Sequence, residues 1–363
     1  MDERSAYLWL GAVIEATPRE VRALTQWPAW SEDLSSFSAQ EFRAIGWAAP
    51  RADEAVSSLL AYDPQEVLRQ AERQQARLLT PADDDYPTLL AHIYDPPPVL
   101  WIRGRWPNKD AVAFVGSRQA SSYGRNAAQH LAATLAPYEV VVVSGLARGI
   151  DSAAHRGALQ GGIPTVAVLG SGLAHLYPKE NMALAEEIVT HNGALLTEYP
   201  PAAPPLAYHF PRRNRIIAGL SKGVIVVEAG MKSGALITAD FAVSEGREVG
   251  AVPGSIFSQQ SQGTLALVHQ GAALIRHAED IAALLGLQRC TLATGAVELA
   301  EGTSDTSESV LLEQIGEEPV SIDGLVRRNG ASTAALLATL TQLELEGRIE
   351  RLPGGRVVRH PII

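Results

Sequence analysis

The stretch Ala111–Gly145, AVAFVGSRQASSYGRNAAQHLAATLAPYEVVVVSG, decides the fold. It opens on the apolar run AVAFVG, passes through Gly116-Ser117 into a helix-length segment, and returns to a second run, YEVVVVSG. A continuous apolar run, unlike an alternating one, marks a strand buried on both faces, and strands of this kind separated by helices form a parallel sheet. The unit recurs in TVAVLG (165–170), ALLTEY (194–199), GVIVVEAG (223–230), REVGAVPG (247–254) and AALI (272–275). Several of these runs end in Gly or Ser-Gly just before a helix. Open parallel sheets bind ligands at that carboxyl edge, where helix N-termini gather. Residues 111–289 therefore read as a Rossmann-like, doubly wound, mainly parallel α/β domain.

Outward from this core the pattern changes. Residues 1–70 read as a small helical domain, with Thr17-Pro18 as a helix start and Gly46 and Pro50 breaking the pattern before a second helix near Ala52–Ala61. Residues 71–110, with Pro81, Pro87 and Pro96-Pro97-Pro98, read as a proline-rich connector packed on the core. Residues 290–308 are small, polar and acidic, as in a flexible linker. The tail, 309–363, reads helix, helix, helix, hairpin, with Pro353-Gly354-Gly355 as the turn, in the order of a winged helix.

Of the 363 residues 46% are hydrophobic and 19% charged, a globular composition that excludes wholesale disorder. No apolar run approaches the roughly 18 residues of a membrane helix, and the acidic N-terminus is unlike a signal peptide, so a soluble cytoplasmic protein is expected. The single cysteine, Cys290, excludes a disulfide framework, and the nine histidines show no metal-ligand spacing. The net charge of -10 is unevenly spread: residues 111–289 carry 13 bases against 12 acids, and the other segments are acidic. Between Pro204 and Gly223, Arg212, Arg213, Arg215 and Lys222 stand with no acid among them. A local basic concavity, more than net charge, governs polyanion binding.

Five stretches invite a chemical reading. Gly116-Ser117-Arg118 is either a phosphate cradle or a tight turn with a capping serine, and the loop alone does not decide. Ser144, Asp151 and His155 suggest a hydrolytic triad, but Val142 stands where a nucleophile elbow needs glycine. Asp151 as a helix cap with His155 four residues on is the better account. Gly170–His175 lacks the last glycine of a dinucleotide fingerprint, and Gly230–Asp240, with Lys232-Ser233, lacks the glycines of a Walker A loop. His209–Gly223 presents Phe210 at a strand end with three arginines and Asn214 behind it. An aromatic beside arginines suits single-stranded nucleic acid, by stacking and charge. The competing account packs Phe210 under the loop and pairs the arginines with Glu198 and Glu228. The presumed recognition helix of the tail, Ser332–Gly347, has no lysine or arginine, which speaks against sequence-specific duplex recognition.

Together these loops resemble the DNA-processing protein A (DprA/Smf) family. The matching segments are GSRQASSYG (116–124), VVSGLARGIDSAAHRGAL (142–159), TVAVLGSGLAHLYPKEN (165–181), LLTEYPP (195–201), FPRRNRIIAGLSKGVIVVEAGMKSGALITADFA (210–242) and VPGSIFSQQSQGTLALVHQGAALI (252–275). The resemblance implies a cytoplasmic, non-enzymatic protein without a cofactor that binds single-stranded DNA and dimerises through the Rossmann-like domain, with Leu236–Ile275 as the contact region. It also implies that the protein protects incoming DNA and loads RecA during natural transformation. The N-terminal module would be of the SAM or helix-hairpin-helix kind. The expected DNA-binding residues are Gly116, Ser117, Arg118, Ser144, Arg148, Phe210, Arg212, Arg213, Asn214, Arg215 and Lys232. One departure is Ala207, where family members often carry lysine; either Arg212 replaces the missing contact or affinity rests more on dimeric avidity. The alternative is a nucleotide-binding hydrolase of the phosphoribohydrolase type, although Gly230–Ala239 lacks the carboxylate such an enzyme needs.

Overall fold

A computed structural model describes residues 2–12, 16–28, 30–290 and part of 315–359. The chain divides into two units, Met1–Thr291 and Leu292–Ile363. In the first, β1 (Ala76–Leu79), β2 (Leu100–Gly104), β3 (Ala111–Gly116), β4 (Val141–Ser144), β5 (Thr165–Val168), β6 (Ala194–Thr197), β7 (Gly223–Glu228), β8 (Glu248–Ala251) and β9 (Ala273–Leu274) form one sheet. Its order is β1-β2-β6-β5-β4-β3-β7-β8-β9. All seven runs read from the sequence become its parallel strands. Residues 71–110 add β2, antiparallel to β6, and β1, antiparallel to β2.

The order reverses at β3: the chain steps outward through β4, β5 and β6, then returns to the other flank of β3 as β7. The loops that follow β3 and β7 part from each other there, and such a switch point is where doubly wound sheets take ligands. The central strands bury both faces. Ala111, Ala113 and Val115 point to one side with Val224 and Val226, under the helices His209–Leu220 and Gly234–Ser244. Val112 and Phe114 point to the other with Ile225 and Val227, under Ser122–Ala133 and Ile150–Gln160.

The N-terminal helices pack around Trp9, Phe42 and Trp47, with the Phe42 ring 5.0 Å from Trp47 and 5.2 Å from Phe37. Thr17 caps Pro18–Thr25 through a reciprocal pair: its hydroxyl accepts from the Glu20 N–H, and the Glu20 carboxylate accepts from the Thr17 N–H at 2.8 Å. Such a pair satisfies two amides that a helix start leaves open. Pro50 does not precede the helix expected near Ala52–Ala61; it sits in the first turn of Ala49–Ala61, where its missing N–H costs nothing.

In the second unit β10 (Val320–Ser321), β11 (Ile349–Leu352) and β12 (Arg356–Arg359) form an antiparallel sheet in the order β10-β12-β11. Its core holds Ile315, Leu325, Leu336, Leu340, Leu343, Ile349 and Val357. Strands β11 and β12 are those of the expected hairpin. The Pro353-Gly354-Gly355 turn, nearly all of the expected linker 290–308 and most of Ser332–Gly347 lie outside the described residues. Among the described residues no helix is long and apolar enough to cross a membrane.

Candidate nucleic-acid interface

Phe210 lies not at a strand end but in the first turn of the helix His209–Leu220. The helical period then sorts the following residues. Phe210, Arg213, Asn214 and Ile217, spaced i, i+3, i+4 and i+7, face one open cavity of about 930 Å³ at the carboxyl edge of the sheet. Arg212 and Arg215 leave on the opposite side.

Arg215 is buried and belongs to the scaffold. It forms a two-pronged pair with Glu198, at 2.8 and 2.7 Å, and its Nε donates to the Asp95 carboxylate at 2.9 Å. Burial works against the charge of Arg215, but Glu198 and Asp95 outweigh it and raise its pKa. Burial likewise pushes Glu198 upward, and Arg215 outweighs it, so the carboxyl stays below its ordinary range. Arg212 stands 3.9 Å from Glu198 and lines a separate small cleft with Leu10 and Val99 rather than the cavity. It therefore does not occupy the place expected for the lysine missing at Ala207. Pairing with Glu198 holds for two of the three arginines; Glu228 instead accepts from the Ser121 N–H at 2.8 Å. Ser144 is also removed from the site, being fully buried with its hydroxyl donating to the Phe114 carbonyl at 2.6 Å.

The cavity walls come from the loops that leave the carboxyl edge of the sheet. After β3, Gly116, Ser117 and Arg118 line one side. This loop is seated by Gly149, whose φ of 79° suits glycine and whose Cβ, if present, would lie 2.2 Å from the Ser117 carbonyl oxygen. The Ile150 N–H donates to that oxygen at 3.2 Å. After β7, Lys232, Ser233 and Gly234 line the opposite side, with Lys232 exposed and Ser233 capping the helix Gly234–Ser244. Arg213 forms the floor. It is buried, its NH1 group donating to the Gly145 carbonyl at 2.9 Å and to the Val168 carbonyl. Burial lowers its pKa to about 10, so it stays charged at neutral pH, and Asp151 is the carboxylate whose charge it feels. Phe210 is half-buried. It rests on Gly170, where a Cβ would sit 2.8 Å from the ring, lies 5.5 Å from the Tyr177 ring, and has the Arg118 guanidinium 5.4 Å from its centroid. Arg148 is exposed at the rim, 2.6 Å from Glu180. Thus Gly116, Ser117, Arg118, Phe210, Arg213, Asn214 and Lys232 share one cavity, Arg148 borders it, and Ser144, Arg212 and Arg215 lie elsewhere.

The triad is ruled out by hydrogen bonding. Thr165 donates its hydroxyl proton to the Val142 carbonyl at 2.8 Å, so at 2.7 Å from His155 Nδ1 it must accept from an N–H there. Nε2 is then a buried acceptor without a partner among the described residues, and protonating it would place an uncompensated charge in the core. Burial accordingly depresses the His155 pKa to about 3. Asp151 is not the helix cap, which is Gly149; its carboxylate reaches back to the N–H groups of Gly145 (3.1 Å) and Ala147 (3.3 Å). Burial raises its pKa.

The sequence reading missed Tyr177, Gln119, Ser233, Thr238, Gln259 and Gln260 as cavity residues. Tyr177 was available from the loop after β5, which lies on the same sheet edge as the others.

The family model described as DNA recombination-mediator protein A matches residues 77–286, and that of the DprA winged helix domain matches 296–355. This chain belongs to the DNA recombination-mediator protein A family. Protein Smf of Escherichia coli is 41% identical over 287 residues, covering 77% of this chain and 76% of that protein. The DNA processing protein DprA of Streptococcus pneumoniae is 47% identical over 206 residues, covering 55% of this chain and 71% of that one. The X-ray structure of DprA from S. pneumoniae superposes with a TM-score of 0.67 at 36% identity, over 78% of this chain and 98% of that chain. The structure of DprA from Helicobacter pylori, described for its single-stranded-DNA binding mode, superposes with a TM-score of 0.52 at 28% identity, over 59% and 99%. The family and its winged-helix tail agree with the resemblance read from the sequence.

Proposed function

We propose that the cavity binds single-stranded DNA and that the chain is a cytoplasmic, non-enzymatic recombination mediator that protects incoming strands and loads RecA during natural transformation. The observation that carries this reading is the convergence of Phe210 with Arg118, Arg213 and Lys232 on one cavity. A ring for stacking beside cations for phosphates gives binding that tolerates most sequences and weakens with salt. A base stacked on Phe210 takes the face now under Arg118, whose guanidinium swings to the adjoining phosphate. Arg213, fixed by carbonyls, supplies a standing positive field rather than a moving contact.

Dimerisation is placed on Leu236–Ile275. It is supported by exposed Ile237, Val243 and Leu274 and by the outer edge of β9, the last strand of the sheet. The alternative, a nucleotide hydrolase, needs a carboxylate free to act. Asp151 lines the cavity but is held by two backbone amides, and Asp240 does not line it.

Fluorescence anisotropy with labelled dT oligonucleotide and matched duplex at two salt concentrations tests the reading. Salt-sensitive preference for the single strand, lost in Arg118→Ala, is expected. Equal binding by that variant, or turnover of AMP, would overturn it. RecA loading is tested separately, by strand exchange on DNA precoated with single-strand-binding protein.

A further inference from the structure

We propose that Tyr177 and Arg148 form a second nucleotide subsite beside Phe210, taking the base and phosphate next to those held in the main cavity. This rests on the single-strand reading above and extends it. A narrow cleft of about 30 Å³ opens from the cavity and shares Arg118, Ala147, Tyr177 and Phe210 with it, while adding Gly145, Arg148 and Pro178. The cleft is too small to enclose a base, so a base here lies across its open mouth. Tyr177 offers the surface. The residue is 42% exposed although its ring stands only 5.5 Å from that of Phe210, and the two planes meet at 57°. A ring inclined in this way cannot sandwich a base with Phe210 but can carry the next one on its outer face, as successive aromatics do along single strands.

The charge is placed to match. Arg148 borders the cleft with an exposed side chain, and its partner is Glu180 at 2.6 Å, itself exposed. A solvent-exposed pair of this kind is weak, so a phosphate can replace the carboxylate at little cost. Arg118 lies between the two subsites and lines both. The strand then runs from the β7 side of the cavity, past Phe210, to Tyr177 above β4 and β5. Stacking carries no base identity, so the subsite adds length rather than sequence preference.

The test is a ladder of dT oligonucleotides from about four to about sixteen nucleotides, bound by the whole chain, Tyr177→Leu, Tyr177→Phe and Arg118→Ala. Leucine keeps an apolar contact with Phe210 but offers no stacking face. The wild-type chain should gain affinity as the oligonucleotide outgrows the main cavity. In Tyr177→Leu that gain should shrink by about tenfold, the equivalent of one lost stacked base, and Tyr177→Phe should restore it. If Tyr177 merely props Phe210, Tyr177→Leu weakens every length alike and the gain with length is unchanged, which overturns the subsite. A wild-type chain with no gain overturns it too. Arg118→Ala reports on the main reading: unchanged affinity at all lengths would refute single-strand binding in the cavity itself, a result distinct from an unchanged increment in Tyr177→Leu.

Discussion

Replacing Arg215 with methionine should damage the fold and spare the ligand, although Arg215 sits in the same basic run as the cavity residues. Methionine keeps the apolar stem and removes the charge. Glu198, with a side chain 7% exposed, is then left ionised in the interior. Breaking a buried pair by removing one partner costs about 3–5 kcal/mol, because the remaining charge stays desolvated. Arg212, 3.9 Å from Glu198, takes up part of the compensation and places the loss near the lower end. For a unit of this size that is a fall in Tm of about 5–10 °C. Adding Glu198→Gln to Arg215→Met removes the orphaned charge and should return most of the loss; Asp95 is 22% exposed and can be hydrated. Thermal and urea unfolding measure stability, and anisotropy well below the transition measures dT affinity on folded protein. Arg118→Ala is the mirror image, with affinity lost and stability changed by no more than about 0.5 kcal/mol. An Arg215→Met variant with unchanged Tm and weakened binding would refute the division of the run by helix face.

Three further expectations follow from the geometry. Phe210→Ala should weaken dT binding by about 1–3 kcal/mol, read by titration at fixed salt. The slope of log K against log salt for dT should become shallower by about 0.7 in Arg118→Ala, and by the same step in Lys232→Ala, if each contacts one phosphate. His155 should make stability acid-sensitive. Its folded pKa of about 3 lies below the ordinary 6.5, so the unfolded chain binds the extra proton between those values and stability falls as pH drops through that window. The slope approaches about 1.4 kcal/mol per pH unit, and His155→Gln should flatten it in urea titrations across the range.

The sheet was legible because burial on both faces leaves an unmistakable mark, a run such as VVVVSG with no polar alternation. Strands β1 and β2 were not: ARLL is short, and LWIRG follows three prolines that read as a connector. The cavity was legible at Gly116-Ser117-Arg118 and at Phe210, where glycine, cation and aromatic stand together. Within PRRNR the readable signal was the helical period, which puts residues 210, 213, 214 and 217 on one face. Reading the arginines as one cluster merged a binding face with a structural one. Glu198 was within reach of the sequence as an arginine partner, but no spacing could have named Asp95, because that contact with Arg215 is made by the assembled fold. Ser144 was misplaced for a related reason: the last residue of a central strand looks like a loop residue until its neighbour's carbonyl is known.

The reversal of strand order at β3 has a consequence for when the protein becomes competent. One wall of the cavity follows β3 and the other follows β7, and these strands pair directly, Val112 with Gly223. At about 5–20 residues per second, a ribosome takes roughly 6–20 s to make the chain between them. During that interval β3 has a neighbour on one flank only, and Arg118 faces no opposite wall. An unfinished or clipped chain ending before β7 would keep Arg118 and Arg213 but lack the Lys232 loop. The two-walled cavity is thus a property of the completed chain, acquired when its first and second halves close on each other, and the proposed single-strand affinity would be acquired with it.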